Sequence, residues 1–135
     1  MPGFENKIWG FRYHDFIRDP CCSRFLGQCV PCPKRRYNDL SFYIGFNHPA
    51  VNRSAQATIY SCAVPAVQAA YSILTGACAA AGGPSPACAA AVIAAIPAAN
   101  NAARTTFRTC MANTDVPESL YRQVNIGIYH RRTTL

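Results

Sequence analysis

Residues 54–103 have the sequence SAQATIYSCAVPAVQAAYSILTGACAAAGGPSPACAAAVIAAIPAANNAA, and none of these 50 residues is Asp, Glu, Lys, Arg or His. Alanine, the residue with the highest helix propensity, occupies 20 of the positions. One segment, AAGGPSPA at residues 80–87, interrupts the pattern. Gly82 or Gly83 can take the left-handed conformation that ends a helix, and Ser85 followed by Pro86 suits the start of the next helix. The run therefore predicts an antiparallel helical hairpin over about 55–81 and 86–112.

The second predicted helix carries alanine at every fourth position. One row contains Ala87, Ala91, Ala95, Ala99 and Ala103, and the neighbouring row contains Ala90, Ala94, Ala98 and Ala102. Rows of small side chains let two helix backbones approach closely, in membranes and in soluble proteins. We expect these rows to pack against the other helix of the hairpin and also against a helix of a partner protein. Pro65 and Pro97 lie inside the predicted helices, and each removes one backbone hydrogen bond.

The segments on either side of residues 54–103 contain all the charges. Residues 1–53 hold eight basic and four acidic residues and most of the aromatic residues, and residues 104–135 hold five basic and two acidic residues. Alternating apolar residues predict two short strands, at about 40–46 and 121–129, which could pair with each other. The sequence predicts a mainly α protein of one domain, 1–135. Its parts are an irregular cysteine-containing arm (1–53), the uncharged hairpin (54–112) and a C-terminal tail (113–135).

Eight cysteines in a chain of 135 residues favour disulfide bonds. Cys78 and Cys88 lie five residues on either side of position 83, so a hairpin brings them together across its turn. Cys62 and Cys110 lie near its open end, which predicts a second, nested disulfide. The remaining cysteines, which are Cys21, Cys22, Cys29 and Cys32, are also disulfide candidates. A zinc site formed by these four and free buried thiols are the alternatives.

The length of the uncharged run permits two membrane-spanning helices, because each needs about 20 apolar residues. Basic residues flank the run on both sides while the turn carries no charge, and this asymmetry is typical of a hairpin whose two ends stay on one side of a membrane. The predicted contacts to lipid headgroups or another anionic partner are Lys34, Arg35, Arg36, Tyr37, Arg104 and Arg108. A hairpin buried inside protein is the alternative.

No catalytic pattern is visible in the sequence. The histidines, His14, His48 and His130, are far apart, and there is neither a paired-carboxylate site nor a phosphate-binding glycine loop. We therefore expect a non-enzymatic structural or accessory subunit of a membrane-associated assembly, without a cofactor. Other protein subunits and membrane lipid are its expected partners. The alternatives are a secreted, disulfide-stapled cationic protein that acts on membranes, and a basic protein that binds nucleic acid. The N-terminal residues predict no secretory signal, and an organelle such as the mitochondrion is one expected location.

Overall fold

The structure, a computed structural model, describes residues 3–135, with the backbone only for residues 21–23. Strands β1 (Gly3–Phe25) and β2 (Gln28–Asn47) lead into helices α1 (Arg53–Ala80) and α2 (Pro86–Ala112). The short helix α3 (Glu118–Tyr121) and strand β3 (Asn125–Thr134) follow. The three strands form one antiparallel sheet in the order β1-β2-β3.

The prediction of a mainly α fold is wrong, because a sheet with strands of 23, 20 and 10 residues accompanies the two long helices. The irregular arm predicted for residues 1–53 is mostly the β1–β2 hairpin. The strand predicted at 40–46 is only the end of β2. The strand predicted at 121–129 begins later, at Asn125, because Tyr121 ends α3. The expected pairing of these two segments is confirmed, since Asn38–Asn47 of β2 pairs with β3.

The helical hairpin lies where the sequence predicts it. The Asn52 side chain caps α1 by accepting a hydrogen bond from Ala55 N, and Ser85 caps α2 by accepting one from Cys88 N. Gly82 and Gly83 have φ angles of 93° and 94°, which is the left-handed conformation expected at the end of a helix. Both helices continue through their internal prolines.

Large side chains on the sheet face small side chains on the helices. The buried face of the sheet includes Leu40, Phe42, Ile44 and Phe46 of β2, together with Ile126 and Ile128 of β3. Ala66 and Ala70 of α1 and Ala99 and Ala103 of α2 are completely buried in the same core. The small helix residues let the helices lie close to the aromatic layer, so bulky and small surfaces together fill one core.

Two disulfides connect α1 to α2. Cys78–Cys88 closes the hairpin next to its turn, and Cys62–Cys110 joins the helices near their open end, with Cα atoms 4.4 and 5.6 Å apart respectively. The nested pairing predicted from the sequence is confirmed. Cys29 and Cys32 are also disulfide-bonded. They therefore provide no thiolate for the alternative zinc site, whose other two members, Cys21 and Cys22, have side chains outside the described residues.

Candidate interaction surfaces

Strand β3 and helix α2 run in opposite directions along each other. The Arg104 guanidinium donates hydrogen bonds of 2.9 and 3.2 Å to the carbonyl oxygen of Ile126, and Ile128 N donates one of 2.9 Å to the Asn100 side chain. Moving forward by two residues in β3 therefore means moving back by four in α2. Thr134 at the end of β3 consequently lies toward the helical turn, and so does Asn38, its partner in β2.

This orientation determines where the rest of the β1–β2 hairpin goes. Beyond Tyr37, whose carbonyl oxygen accepts a hydrogen bond of 2.9 Å from Leu135 N, no third strand of the described residues accompanies it. Residues 14–37 form a two-stranded ribbon that extends past the turn of the helical hairpin. We call this segment the ribbon. The ten residues from Gln28 to Tyr37 correspond to a length of about 33 Å at about 3.3 Å per residue. The ribbon ends in a two-residue turn formed by Leu26 and Gly27, with φ angles of 52° and 78°.

An ion pair fixes the base of the ribbon to the body. Arg36 Nε donates to Asp15 Oδ1 at 2.9 Å, its Nη2 donates to Oδ2, and Asn38 Nδ2 donates to Oδ1 at 3.1 Å. The hydrogen bond from Arg36 is the main reason why the pKa of Asp15 lies below its ordinary value, and the same contact raises the pKa of Arg36. Arg36 therefore has a structural role in this fold, whereas its neighbours Lys34 and Arg35 are exposed.

The residues predicted to contact lipid headgroups or another anionic partner lie in two separate places. Lys34, Arg35, Arg36 and Tyr37 belong to the ribbon, beyond the helical turn. Arg104 and Arg108 lie in the last third of α2, toward the open end of the hairpin, where the ring of Phe46 lies 6.0 Å from that of Phe107. The expectation that all these groups share one end of the hairpin is wrong. Strand β2 runs along the helices between the two groups and separates them.

The exposed sides of the two helices form an uncharged surface. We call it the uncharged face, and its exposed residues are Ala57, Ser61, Val64, Gln68, Tyr71, Ser72 and Gly76 of α1 with Ala87, Ala90, Ala94, Pro97, Ala98 and Asn101 of α2. Val64 and Tyr71 are 57% and 45% exposed. Both helices are long and apolar enough to cross a membrane. Each helix contains an apolar stretch of 18 residues, of which only 33% is buried in α1 and 28% in α2.

The two alanine rows have different environments. In the first row, Ala99 and Ala103 are buried in the core, Ala91 and Ala95 are partly buried, and Ala87 is exposed. In the second row, Ala90, Ala94 and Ala98 are exposed, and Ala102 is partly buried. The first row thus packs mostly within the protein itself. The second row provides the smooth surface that is available to a partner.

The outer face of the sheet holds an aromatic and cationic group that the sequence analysis missed. Tyr43 and Tyr129 lie opposite each other in register with ring centroids 5.4 Å apart, and the Arg131 guanidinium lies over both rings, 5.2 and 5.7 Å from their centroids. Nearby Glu5 raises the pKa of Tyr129. Alternation in β2 and β3 places these residues on one face, but only the register, which the sequence does not reveal, brings them together.

The histidines do not form a site with one another. His48 is buried, with Nδ1 2.9 Å from the carbonyl oxygen of Pro49 and Nε2 3.2 Å from the Tyr60 hydroxyl. His14 lies on the ribbon near Phe16 and Tyr37, while His130 is exposed on β3. Within the part of the chain whose side chains are described, no three His, Cys, Asp or Glu residues lie close enough to hold a metal ion.

No protein-family model, curated protein or solved structure matches this chain.

Proposed function

We propose that the protein is a non-enzymatic structural or accessory subunit of a membrane-associated assembly, and that it joins this assembly through the uncharged face. The observation that carries the proposal is the exposure of this face: the two most apolar helices of the chain leave about two thirds of their apolar 18-residue stretches unburied. A helix that faces water normally carries charged residues opposite its buried side. Here that side has none between Arg53 and Arg104.

The chemistry of the uncharged face favours a protein helix as the covering partner. Alanine contributes little to lipid affinity, but the exposed side chains of Ala90, Ala94 and Ala98 form a flat row against which another helix can pack at short distance. The sheet argues against two lipid-exposed spanning helices. It lies along the other side of the hairpin, and its outer surface carries Arg131 and the Arg12–Asp39 ion pair, which are costly to place in hydrocarbon.

A charge placed in the exposed alanine row tests the proposal. Ala94→Lys should leave the circular dichroism spectrum and melting temperature unchanged, because Ala94 is exposed in the isolated fold. It should release the chain from its native complex, since burying an unpaired ammonium group is unfavourable. Ala94→Ser keeps the position small and should stay assembled. Thr109→Lys, also exposed in α2 but beyond the uncharged run, controls for added charge.

The measurement is the mass of the complex that contains each tagged variant in mild detergent extracts of the producing cells. Loss of the complex for Ala94→Lys alone supports the proposal. A wild-type chain that is monomeric in such extracts, or an Ala94→Lys chain that stays in the complex, contradicts it.

A second candidate is the secreted cationic membrane-active protein, and the exposed apolar end of the ribbon favours it. Phe25 and Leu26 are 69% and 88% exposed beside Arg24. Release of a trapped dye from vesicles by the purified protein would favour this alternative over the accessory subunit.

A further inference from the structure

The end of the ribbon combines apolar exposure with a local excess of positive charge. The largest exposed fraction of any large hydrophobic side chain among the described residues belongs to Leu26, at 88%, and its neighbour Phe25 is 69% exposed. Both lie at the turn, at the point of the ribbon farthest from the body. Further back, Phe16 is 62% exposed, and Ile17 and Val30 are each 39% exposed.

The backbone of the turn gives Leu26 no structural reason to be leucine. Two-residue turns in which both φ angles are positive favour Asn, Asp or Gly at the first position, and Leu26 has a φ of 52° there. A side chain that is both exposed to water and placed in a left-handed conformation contributes little to folding. Such local strain commonly occurs where a segment serves binding rather than stability.

The charges of the ribbon define the kind of surface that it fits. The ribbon carries Asp15 and Asp19 against five basic residues, which are Arg18, Arg24, Lys34, Arg35 and Arg36, and it has no acidic residue from Pro20 onward. Arg36 is bound to Asp15, but Arg24, Lys34 and Arg35 are exposed. Apolar residues at a tip with basic residues behind them match a membrane with anionic headgroups, because stable membrane association generally needs both an apolar and an electrostatic contribution.

We infer that the ribbon is a membrane-attachment device, in which Phe25 and Leu26 enter the headgroup region of an anionic bilayer while Arg24, beside them at the tip, contacts the headgroups. Its two paired strands hold the tip away from the body. This inference does not depend on the uncharged face, because the two surfaces share no residue and their tests can fail separately.

Leu26→Gly is the most informative variant. Glycine accepts a positive φ without strain, so the fold should be as stable as the wild type or more stable. Removal of the side chain should weaken sedimentation of the full oxidised chain with phosphatidylcholine–phosphatidylserine vesicles by about tenfold or more, as expected from losing a buried leucine. Leu135→Ser, which changes another exposed leucine, 57% exposed at the C-terminus, should bind like the wild type.

The electrostatic contribution is tested separately with Arg24→Gln. A basic residue near an anionic surface contributes about fivefold in affinity, so this variant should bind phosphatidylserine-containing vesicles about fivefold more weakly. Its weak residual binding to vesicles of phosphatidylcholine alone should not change. Equal wild-type binding to both kinds of vesicle would contradict a role for this charge.

The depth of insertion can be measured with the Phe25→Trp variant. Lipids brominated on their acyl chains should quench the introduced indole. They should leave the wild-type fluorescence unaffected, since Trp9, the only native tryptophan, packs against Phe42 in the body.

Full binding by Leu26→Gly, or no binding of the wild type to anionic vesicles, would overturn the inference. Tight binding of a single-stranded oligonucleotide that is lost in Lys34→Gln/Arg35→Gln, without vesicle binding, would assign the ribbon to nucleic acid instead.

Discussion

The two disulfides of the helical hairpin should contribute unequally to stability, in an order set by the lengths of the loops that they close. Cys62–Cys110 joins residues 48 apart in sequence, and Cys78–Cys88 joins residues 10 apart. A cross-link stabilises a protein mainly by restricting its unfolded chain, and the loss of chain entropy grows with the logarithm of loop length. This relation gives about 4 kcal/mol for the longer loop and about 2.7 kcal/mol for the shorter one.

The two disulfides can be compared through double alanine variants, because both variants lose nearly the same amount of native packing. Cys62, Cys78 and Cys88 are buried, at 2%, 4% and 0% exposure, and Cys110 is partly buried against the same core, so replacing either pair by alanine removes similar contacts. Alanine also leaves no buried hydroxyl group. Cys62→Ala/Cys110→Ala should therefore lower the free energy of unfolding by about 1.3 kcal/mol more than Cys78→Ala/Cys88→Ala does.

The assay is equilibrium urea unfolding followed by circular dichroism at 222 nm, without reductant, with free energies from linear extrapolation. The dependence of the free energy on urea should also steepen more in Cys62→Ala/Cys110→Ala, because its unfolded chain exposes more surface. Equal losses in the two variants, or a larger loss in Cys78→Ala/Cys88→Ala, would refute loop entropy as the source of the stabilisation.

Four further substitutions test the core, the base of the ribbon and the alanine rows. Phe46→Ala should lower the free energy of unfolding in urea by about 3–5 kcal/mol, because the buried ring packs against two other phenylalanines. Asp15→Asn should be less stable than the wild type at neutral pH. Since the folded pKa of Asp15 lies below 3.8, this difference should persist above that value and disappear as the pH falls through the folded pKa, as measured by melting temperature against pH. Ala95→Leu should cost about 1–3 kcal/mol in the isolated chain by overpacking, whereas Ala94→Leu should change its stability by less than about 0.5 kcal/mol, in the same urea assay.

The helical hairpin could be predicted from the sequence because its signals are local. Capping by Ser85, the left-handed glycines and the spacing of Cys78 and Cys88 about the turn each depend on residues close in sequence. The periodicity identifies the rows of small residues, but which row faces the sheet depends on how the sheet lies against the helices, and no local signal encodes that.

The ribbon part of the β1–β2 hairpin, residues 14–37, was missed because it lacks the pattern on which strand prediction depends. Alternation of apolar and polar residues appears where a strand has one buried face. The ribbon is exposed on both faces, so residues 14–37 show no such alternation. Pro20, Pro31 and Pro33 also argue against strands in general, although they are tolerated where a strand has a free edge. The turn at Leu26 and Gly27 lacks the usual Asn-Gly or Asp-Gly signature.

The separation of the two proposed surfaces leads to a last prediction, because the ribbon can be shortened without disturbing the body. Ile17 and Lys34 are cross-strand partners, so an Asn-Gly pair that replaces residues 18–33 can close the strands with a two-residue turn. The deletion removes Cys21, Cys22, Cys29 and Cys32 together and leaves the two hairpin disulfides intact.

The shortened chain keeps every residue of the uncharged face and the ion pair between Asp15 and Arg36. It should therefore have the melting temperature of the wild type within a few degrees and remain in its native complex. It should lose binding to anionic vesicles, because the apolar tip and Arg24 are gone while Lys34 and Arg35 alone provide only electrostatic attraction. Vesicle binding that survives this deletion would place the membrane contact on the body of the protein. Loss of the complex would mean that the ribbon, and not the uncharged face, holds the subunit in its assembly.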